Sequence, residues 1–265
     1  MRFGLFDSGV GGLTILKKVA ELTPNTSFIY LADTARLPYG ERNPSEIIQI
    51  AEEISYWFSF QKIDGLLVAC NTTNAIALNV IKNNLDVPVF DLIESASLTV
   101  QESRVGVLAT PSTVKTKAYT KSILDFKPET FVIEQSCPEF VPMIEMNRIN
   151  SDKITDVAIR YLKPLLNQKI DSLILGCSHY PLITPLLEEI LPSSVKLIDP
   201  AEALSLKLRL FMDSKISDFS EKKFLVDSKF YVTSNLKQFP FKAKHWLNVF
   251  PEVNLVSLQK KGCVS

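Results

Sequence analysis

Short apolar runs, each followed by small polar residues, recur along the chain. Phe3–Phe6 leads into Asp7-Ser-Gly-Val-Gly-Gly12, and Phe28–Ala32 leads into a polar stretch that ends at Gly40. Between these runs the apolar positions follow helical spacing, most clearly over 45–60. Strands that alternate with helices predict an α/β fold in which the strands are parallel.

One segment of the chain occurs twice. Gln61-Lys-Ile-Asp64 and Gln168-Lys-Ile-Asp171 each open an apolar run that ends at a single cysteine, Cys70 or Cys177. The apolar runs predict buried strands, and the small polar residues after each cysteine predict a turn into a helix. Because ligands bind at the carboxyl ends of parallel strands, we expect both cysteines at a ligand site.

Three further pairs of segments match in the same order. The segments at 2–8, 28–34 and 87–92 resemble those at 104–110, 131–137 and 195–200. The repeat predicts two similar α/β halves, and if these face each other, the two cysteines line one cleft from opposite sides. The competing interpretation is that apolar strands ending in small polar residues look alike in any α/β protein.

The composition narrows the classes of function. Lys plus Arg and Asp plus Glu both number 29 in 265 residues, so nothing favours nucleic acid or an anionic membrane surface as a partner. No apolar run approaches the roughly 18 residues of a membrane span, and no signal peptide is visible. The four cysteines lie far apart without a C-x-x-C pair, which argues against disulfides and zinc and predicts a protein of the reducing cytoplasm.

Gly9, Gly11 and Gly12 form the stretch that is most similar to a cofactor-binding motif. They could offer backbone N–H groups to an anion, but the stretch is neither G-x-G-x-x-G nor a P-loop. Asp7 in the same turn fits poorly with phosphate, and a tight turn capped by Asp7 is the alternative. We expect no cofactor and no metal.

Two cysteines in one cleft suit proton transfer to carbon. A thiolate is a good nucleophile and also a competent proton carrier. Asp7 could accompany Cys70, and His179 lies two residues after Cys177. Two such carriers could remove an α-proton from one face of a carbon and deliver a proton to the other, which inverts the stereocentre. A hydrolase that uses one cysteine and a histidine, and a non-catalytic two-lobed amino-acid-binding protein, are the alternatives.

The polar stretch Asp33–Gly40 is a candidate for ligand contact. Pro38 and Gly40 predict a loop that exposes Tyr39, with a plain surface turn as the alternative. Cys137 opens another loop and is expected to be structural. In the tail we expect a polar linker at 213–227, strands at 229–233 and 253–258, and an amphipathic segment at 239–250.

Four motifs of the chain resemble those of the cofactor-independent aspartate/glutamate racemase superfamily, and within it the glutamate racemases. They are Phe6-Asp-Ser-Gly-Val-Gly-Gly-Leu13, Ala32-Asp-Thr-Ala-Arg-Leu-Pro-Tyr-Gly40, Ala69-Cys-Asn-Thr72 and Leu175-Gly-Cys-Ser-His-Tyr-Pro-Leu182. Their order and spacing match over residues 1–210, whereas the tail matches only loosely.

The resemblance implies two similar parallel-sheet α/β domains in pseudo-twofold relation, with the active site between them. The first would comprise 1–97 plus 207–265, and the second would comprise 98–206. The implied activity is interconversion of L-glutamate and D-glutamate by a homodimer, with D-glutamate supplied to peptidoglycan synthesis in the bacterial cytoplasm. A racemase for aspartate or for a broader set of amino acids is the alternative, and the size of the cleft would decide.

The resemblance also implies roles for individual residues. Cys70 would be the base that acts on D-glutamate and Cys177 the base that acts on L-glutamate, assisted by Asp7 and His179. Besides Asp7 and His179, the residues implied to bind the substrate or line the cleft are Ser8, Tyr39, Gly40, Asn71, Thr72, Thr113, Glu145 and Ser178.

The chain departs from the family pattern at a few positions. Ser178 stands where Thr is usual after the second cysteine, and Thr73-Asn74 stands where a small residue is usual. Ala32 replaces a frequent Gly before Asp33. Ser178 keeps the hydroxyl group, so its hydrogen bond should survive. None of these changes removes a reacting group.

Overall fold

The computed structural model describes residues 1–213 and 224–259, in which strands and helices alternate. The ten strands of these residues are β1 Arg2–Asp7, β2 Ser27–Ala32, β3 Gly65–Val68, β4 Val89–Asp91, β5 Arg104–Ala109, β6 Phe131–Ser136, β7 Ser172–Gly176, β8 Lys196–Ile198, β9 Lys229–Val232 and β10 Val253–Leu255. The helices are α1 Gly12–Leu22, α2 Pro44–Ser59, α3 Asn71–Asn84, α4 Leu92–Ser97, α5 Pro111–Thr116, α6 Ala118–Phe126, α7 Phe140–Glu145, α8 Asp152–Asn167, α9 Thr184–Ile190, α10 Pro200–Asp213 and α11 Phe239–Leu247, with a 3₁₀ turn at Tyr180–Ile183.

The strands form two parallel sheets with a repeated order. The first sheet runs β10-β9-β2-β1-β3-β4, and the second runs β6-β5-β7-β8. β1 lies between β2 and β3, and in the same way β5 lies between β6 and β7. The strand order therefore reverses beside the equivalent strand in each sheet. The predicted α/β fold with two similar parallel sheets is confirmed.

The repeated Gln-Lys-Ile-Asp segment has the same structural role in both halves. Asp64 accepts a hydrogen bond from the backbone N–H of Arg2 at 2.8 Å, and Asp171 accepts one from that of Arg104 at 3.0 Å. The backbone N–H of each aspartate donates in return to the carbonyl of the same arginine, at 2.7 Å. Each aspartate therefore fixes the start of the sheet's central strand beside the strand that leads to a cysteine.

The strand register corrects one of the matched pairs. Arg2 pairs with Ser27, and Arg104 pairs with Phe131. The structural equivalent of Phe131 is therefore Ser27, so the match between 28–34 and 131–137 is wrong by one residue. β2 is buried within its sheet, whereas β6 is the partly exposed edge of its own, so the two strands carry different patterns of residues and a shift of one residue is hard to detect from sequence.

Helices cover both faces of the first sheet. On β1, Phe3 and Leu5 pack with α1, α10 and α11, while Phe6 packs on the opposite face with α2 and α3. The second sheet is likewise packed between two separate apolar clusters. This arrangement leaves the carboxyl ends of the strands free to build a site.

The tail adds to the first sheet. β9 pairs with β2, and β10 forms the outer edge, so both predicted strands are present with slightly different bounds. The amphipathic segment forms α11. Much of the predicted linker, residues 214–223, lies outside the described residues, as do 260–265 with Cys263. The proposed boundary between residues 206 and 207 falls inside α10, and the division into domains stays a prediction.

Within residues 1–213 and 224–259, none of the helices combines the length and apolar character needed to cross a membrane.

Candidate active site

The carboxyl ends of β1, β3 and β7 bring the key side chains to one cleft between the two sheets. Cys70 follows β3 and occupies the N-cap position of α3, and Cys177 follows β7 directly. The cleft has a volume of about 460 Å³ and is lined by both cysteines. The predicted residues that line it with them are Ser8, Tyr39, Gly40, Asn71, Thr72, Ser178 and His179.

Asp7 lies fully buried beside the cleft and joins its two sides. Its Oδ2 accepts hydrogen bonds from the backbone N–H groups of Gly9 (3.0 Å) and Gly12 (2.9 Å). Its Oδ1 accepts a hydrogen bond from the hydroxyl of Ser178 at 3.0 Å. Burial raises the pKa of Cys70 to about 12, and the charge of Asp7 adds to that rise. Asp7 therefore favours the thiol form of Cys70 rather than its thiolate.

Cys177 has a different set of neighbours. Its Sγ lies 3.9 Å from Nδ1 of His179, and Nε2 of that ring lies 2.8 Å from Oε1 of Glu145. A carboxylate only accepts, so Nε2 carries a proton and Nδ1 is the atom that faces the sulfur. Burial would lower the pKa of His179, but the contacts with Cys177 and Glu145 outweigh it and raise that pKa well above its usual value. The imidazolium is thus placed to stabilise a Cys177 thiolate.

Glu145 sits behind the histidine rather than in the lining of the cleft. Burial would raise its pKa, but His179 and Lys242 lower that pKa to about 2. Nζ of Lys242 lies 2.6 Å from Oε2 of Glu145. Sequence reasoning missed Lys242, because it comes from the weakly matched tail and lies 97 residues from its partner.

Tyr39 is not exposed, and that expectation is wrong. Its side chain is 2% exposed, and its hydroxyl donates to the buried carboxylate of Asp33, which also pairs with Arg36. The ring packs against Phe6 with centroids 6.3 Å apart. The loop folds inward because Asp33 needs donors, and the ring reaches the lining of the cleft from inside the protein.

Thr113 lies behind the cleft rather than along it. It is fully buried, and its hydroxyl is 2.9 Å from that of Thr110, which in turn is 3.0 Å from that of Thr72. Thr110 itself lines the cleft. These hydroxyl groups connect the loop after Cys70 with the loop after β5. This row of hydrogen-bonded hydroxyl groups could not be predicted from sequence, because the threonines come from both halves.

Two further lining or supporting residues were not singled out as site residues. Tyr119 is fully buried in the second half and donates from its hydroxyl to Oδ1 of Asn71 at 2.6 Å. That bond fixes the amide so that its NH₂ end is the one left for the cleft. Cys137, expected to be structural, is buried and also lines the cleft, with its Sγ 3.5 Å from the carbonyl oxygen of Gln135.

Gly11 lies where the two halves pack tightly against each other at the site. A Cβ at this position would lie 2.4 Å from Oγ of Ser178 and 2.6 Å from Nδ1 of His179. Its backbone is right-handed helical, with φ −56°, so a side chain is excluded by space alone. The glycine therefore lets the loop after β1 pack closely against the loop after Cys177.

The sequence and the fold of the chain are both similar to those of known proteins. The model of the Asp/Glu/Hydantoin racemase family matches residues 11–206. A glutamate racemase of Prochlorococcus marinus (strain NATL2A) is 77% identical over 100% of both chains, and one of Synechococcus sp. (strain CC9605) is 45% identical over 95% of this chain and 96% of its own. The crystal structure of glutamate racemase from Francisella tularensis in complex with D-glutamate superimposes with a TM-score of 0.88 at 34% identity, covering 97% of each chain.

Proposed function

The chain belongs to the Asp/Glu/Hydantoin racemase family, and from that premise we propose that it is the isomerase that interconverts L-glutamate and D-glutamate with two cysteine bases. The observation that carries the proposal is that Cys70 and Cys177 come from different sheets and line one cleft. Glutamate is the substrate named for its similar relatives.

The two thiols are prepared for opposite roles. Cys177 faces the imidazolium of His179, so its thiolate can remove the α-proton of L-glutamate. Cys70, kept as a thiol by burial and Asp7, delivers its proton to the opposite face of the carbanion, which yields D-glutamate. The sulfur of Cys177 gains the proton that leaves one face of the α-carbon, and the sulfur of Cys70 loses the proton that binds to the opposite face. The reverse reaction exchanges the roles of the two thiols.

The cleft can also stabilise the charge that develops on the substrate. An amino acid α-proton is weakly acidic, so the carbanion needs donors placed around its carboxylate. The amide of Asn71 and the hydroxyls of Ser8 and Thr72 line the same space as both sulfurs, and Tyr119 fixes the orientation of the amide. Both halves supply walls of the cleft, and these walls displace part of the water that would compete with the donors.

The biological setting forms part of the same proposal. Supply of D-glutamate to peptidoglycan synthesis, a cytoplasmic location and assembly as a homodimer rest on the resemblance of the four motifs to glutamate racemases. Size-exclusion chromatography with light scattering tests the assembly independently of activity.

The experiment that tests the activity is proton NMR of L-glutamate, and separately of D-glutamate, with the purified protein in D₂O. We expect loss of the α-proton signal and decay of optical rotation to zero from both sides, with deuterium appearing first in the product enantiomer. Deuterium that appears first in the recovered substrate would reject two separate bases. No exchange with either enantiomer would reject glutamate, and aspartate would then be tested in the same way.

A further inference from the structure

The C-terminal helix reaches the active-site histidine through two charged side chains. Lys242 of α11 places its Nζ 2.6 Å from Oε2 of Glu145 and 3.5 Å from the main-chain oxygen of the same residue. The other carboxylate oxygen, Oε1, lies 2.8 Å from Nε2 of His179. One carboxylate therefore joins a lysine of the tail to the imidazole beside Cys177.

The backbone of Lys242 is held firmly in place. Its helix buries Phe239, Ala243 and Leu247 in the apolar cluster that also contains the inward side of α1. Lys242 adjoins Ala243 and lies one turn after Phe239, so the lysine projects from an anchored part of the helix. The lysine side chain is 37% exposed and that of Glu145 is 13% exposed, so solvent weakens their attraction and the contact acts mainly by fixing geometry.

Glu145 depends on this contact for its position. It is the last residue of the short helix α7, where a cation beside the final carbonyl is favourable. Among the described residues, its Oε1 accepts one further hydrogen bond, from the backbone N–H of Val10 at the long distance of 3.5 Å. The lysine therefore holds both the side chain and the main chain of Glu145, and Nε2 of His179 donates a hydrogen bond to the other carboxylate oxygen.

We propose that Lys242 is a positioning residue that holds Glu145 against His179 and so keeps the imidazole oriented and charged beside Cys177. The inference rests on the proposed function only where it treats Cys177 as one of the two bases. It gives the C-terminal segment a direct role in the site, because displacement of α11 would remove the contact between Lys242 and Glu145.

The charged groups around His179 determine the direction of the expected effect. Cys177 and Glu145 face the ring directly, Asp7 lies one residue away through the hydroxyl of Ser178, and Lys242 lies behind Glu145. Without the lysine, the carboxylate can turn towards solvent and the imidazolium loses its partner. Loss of the lysine's positive charge alone would raise the pKa of His179, but solvent screens that partly exposed charge. The loss of the carboxylate contact therefore decides the direction: the pKa of His179 falls, and the ring becomes neutral at a lower pH.

The chain has only two histidines, His179 and His245, which makes the titration of their rings straightforward to measure. We would follow the ring carbon–proton NMR signals of the full chain without substrate, with a His245→Gln variant to assign them. Lys242→Met should lower the titration midpoint of His179 by about half a pH unit or more. Lys242→Arg should keep it, and Lys244→Met, which removes an exposed lysine of the same helix, is the matched control.

An unchanged or raised midpoint in Lys242→Met would overturn the inference, as would an equal shift in Lys244→Met. If Lys242→Met does not fold, as judged by circular dichroism, Lys242→Gln keeps a polar side chain of similar length and takes its place. In the active enzyme, the alkaline limb of the pH profile of kcat/KM should move by the same amount as the midpoint. The titration needs no turnover, so a lowered midpoint in a chain that does not racemise glutamate would keep this inference and reject the substrate.

Discussion

Ser178 donates its hydroxyl hydrogen to Oδ1 of Asp7 over 3.0 Å and so joins the loop after Cys177 to the end of β1 in the other sheet. The second oxygen of Asp7 is held by the backbone of Gly9 and Gly12. The residue that follows Cys177 therefore orders the carboxylate whose charge acts on Cys70.

Ser178→Ala should weaken both stability and activity. The substitution leaves Oδ1 of the fully buried Asp7 without this donor, which costs about 1–3 kcal/mol in the free energy of unfolding. We expect racemisation to slow by at least about tenfold, because about 1.4 kcal/mol of lost transition-state stabilisation suffices for that factor. Urea unfolding and optical rotation measure the two effects.

Ser178→Thr is the matched control, because it keeps the hydroxyl group that Asp7 requires. It should retain the stability and most of the activity of the wild-type chain. Equal unfolding midpoints for Ser178→Ala and the wild type would show that the bond to Asp7 contributes nothing to the fold.

Cys70→Ser and Cys177→Ser should each reduce racemisation by about 10²-fold or more, because a hydroxyl is a far weaker proton carrier than a thiol in either role. Cys137→Ser is the control, since Cys137 lines the same cleft without a proposed role in proton transfer. Circular dichroism follows the change of optical activity from both enantiomers. Full activity in either of the first two variants would refute the mechanism with two bases.

The fold was largely predictable from sequence because its signals are local. Apolar runs, polar turns and the repeated Gln-Lys-Ile-Asp segment identify strands and their carboxyl ends without knowledge of tertiary contacts. The same reasoning placed Cys70 and Cys177 at strand ends, and the structure brings them to one cleft. The contact of Asp64 with Arg2, matched by that of Asp171 with Arg104, gives a physical reason for the aspartate that ends each copy of that segment.

The support around the site could not be predicted in the same way, because each contact joins residues from separate parts of the chain. Tyr119 reaches Asn71 from 48 residues away, and Lys242 reaches Glu145 from the tail. Tyr39 was misplaced for a related reason: proline and glycine predict a loop, but the need of buried Asp33 for donors decides that the loop turns inward.

Gly11→Ala should impair the site with its backbone conformation intact. The added methyl group would lie 2.4 Å from Oγ of Ser178, so the loop after Cys177 must move away. We expect a loss of about 1–3 kcal/mol in the free energy of unfolding, typical of overpacking, together with a strong loss of kcat.

Gly65→Ala is the control that separates the loss of stability from the loss of kcat. A Cβ there would meet the rings of Phe3 and Phe90 at 3.0 Å, in the core of the first sheet and away from the cleft. That variant should lose stability but keep kcat under conditions in which it is folded. A normal kcat for Gly11→Ala would show that the loop after β1 and the loop after Cys177 can move apart without harm to the reaction.

The stability of the protein should depend on acid through Glu145. Its pKa is about 2 in the folded protein against a usual 4.5, so the unfolded chain binds more protons as the pH falls. This carboxylate therefore stabilises the fold fully above about pH 4.5, and its contribution is lost as the pH falls towards 2. The shift corresponds to about 3 kcal/mol at neutral pH.

Glu145→Gln removes that contribution and keeps the size of the side chain. The difference in unfolding free energy between the wild type and this variant should be about 3 kcal/mol at pH 7 and should shrink steadily in urea titrations at pH 4 and pH 3. Glu139→Gln is the control, because Glu139 forms an exposed ion pair with Arg160, for which a contribution of about 0.2–1 kcal/mol is typical. A difference for Glu145→Gln that stays constant between pH 7 and pH 3 would mean that the carboxylate stabilises the fold by packing and not through its charge on His179 and Lys242.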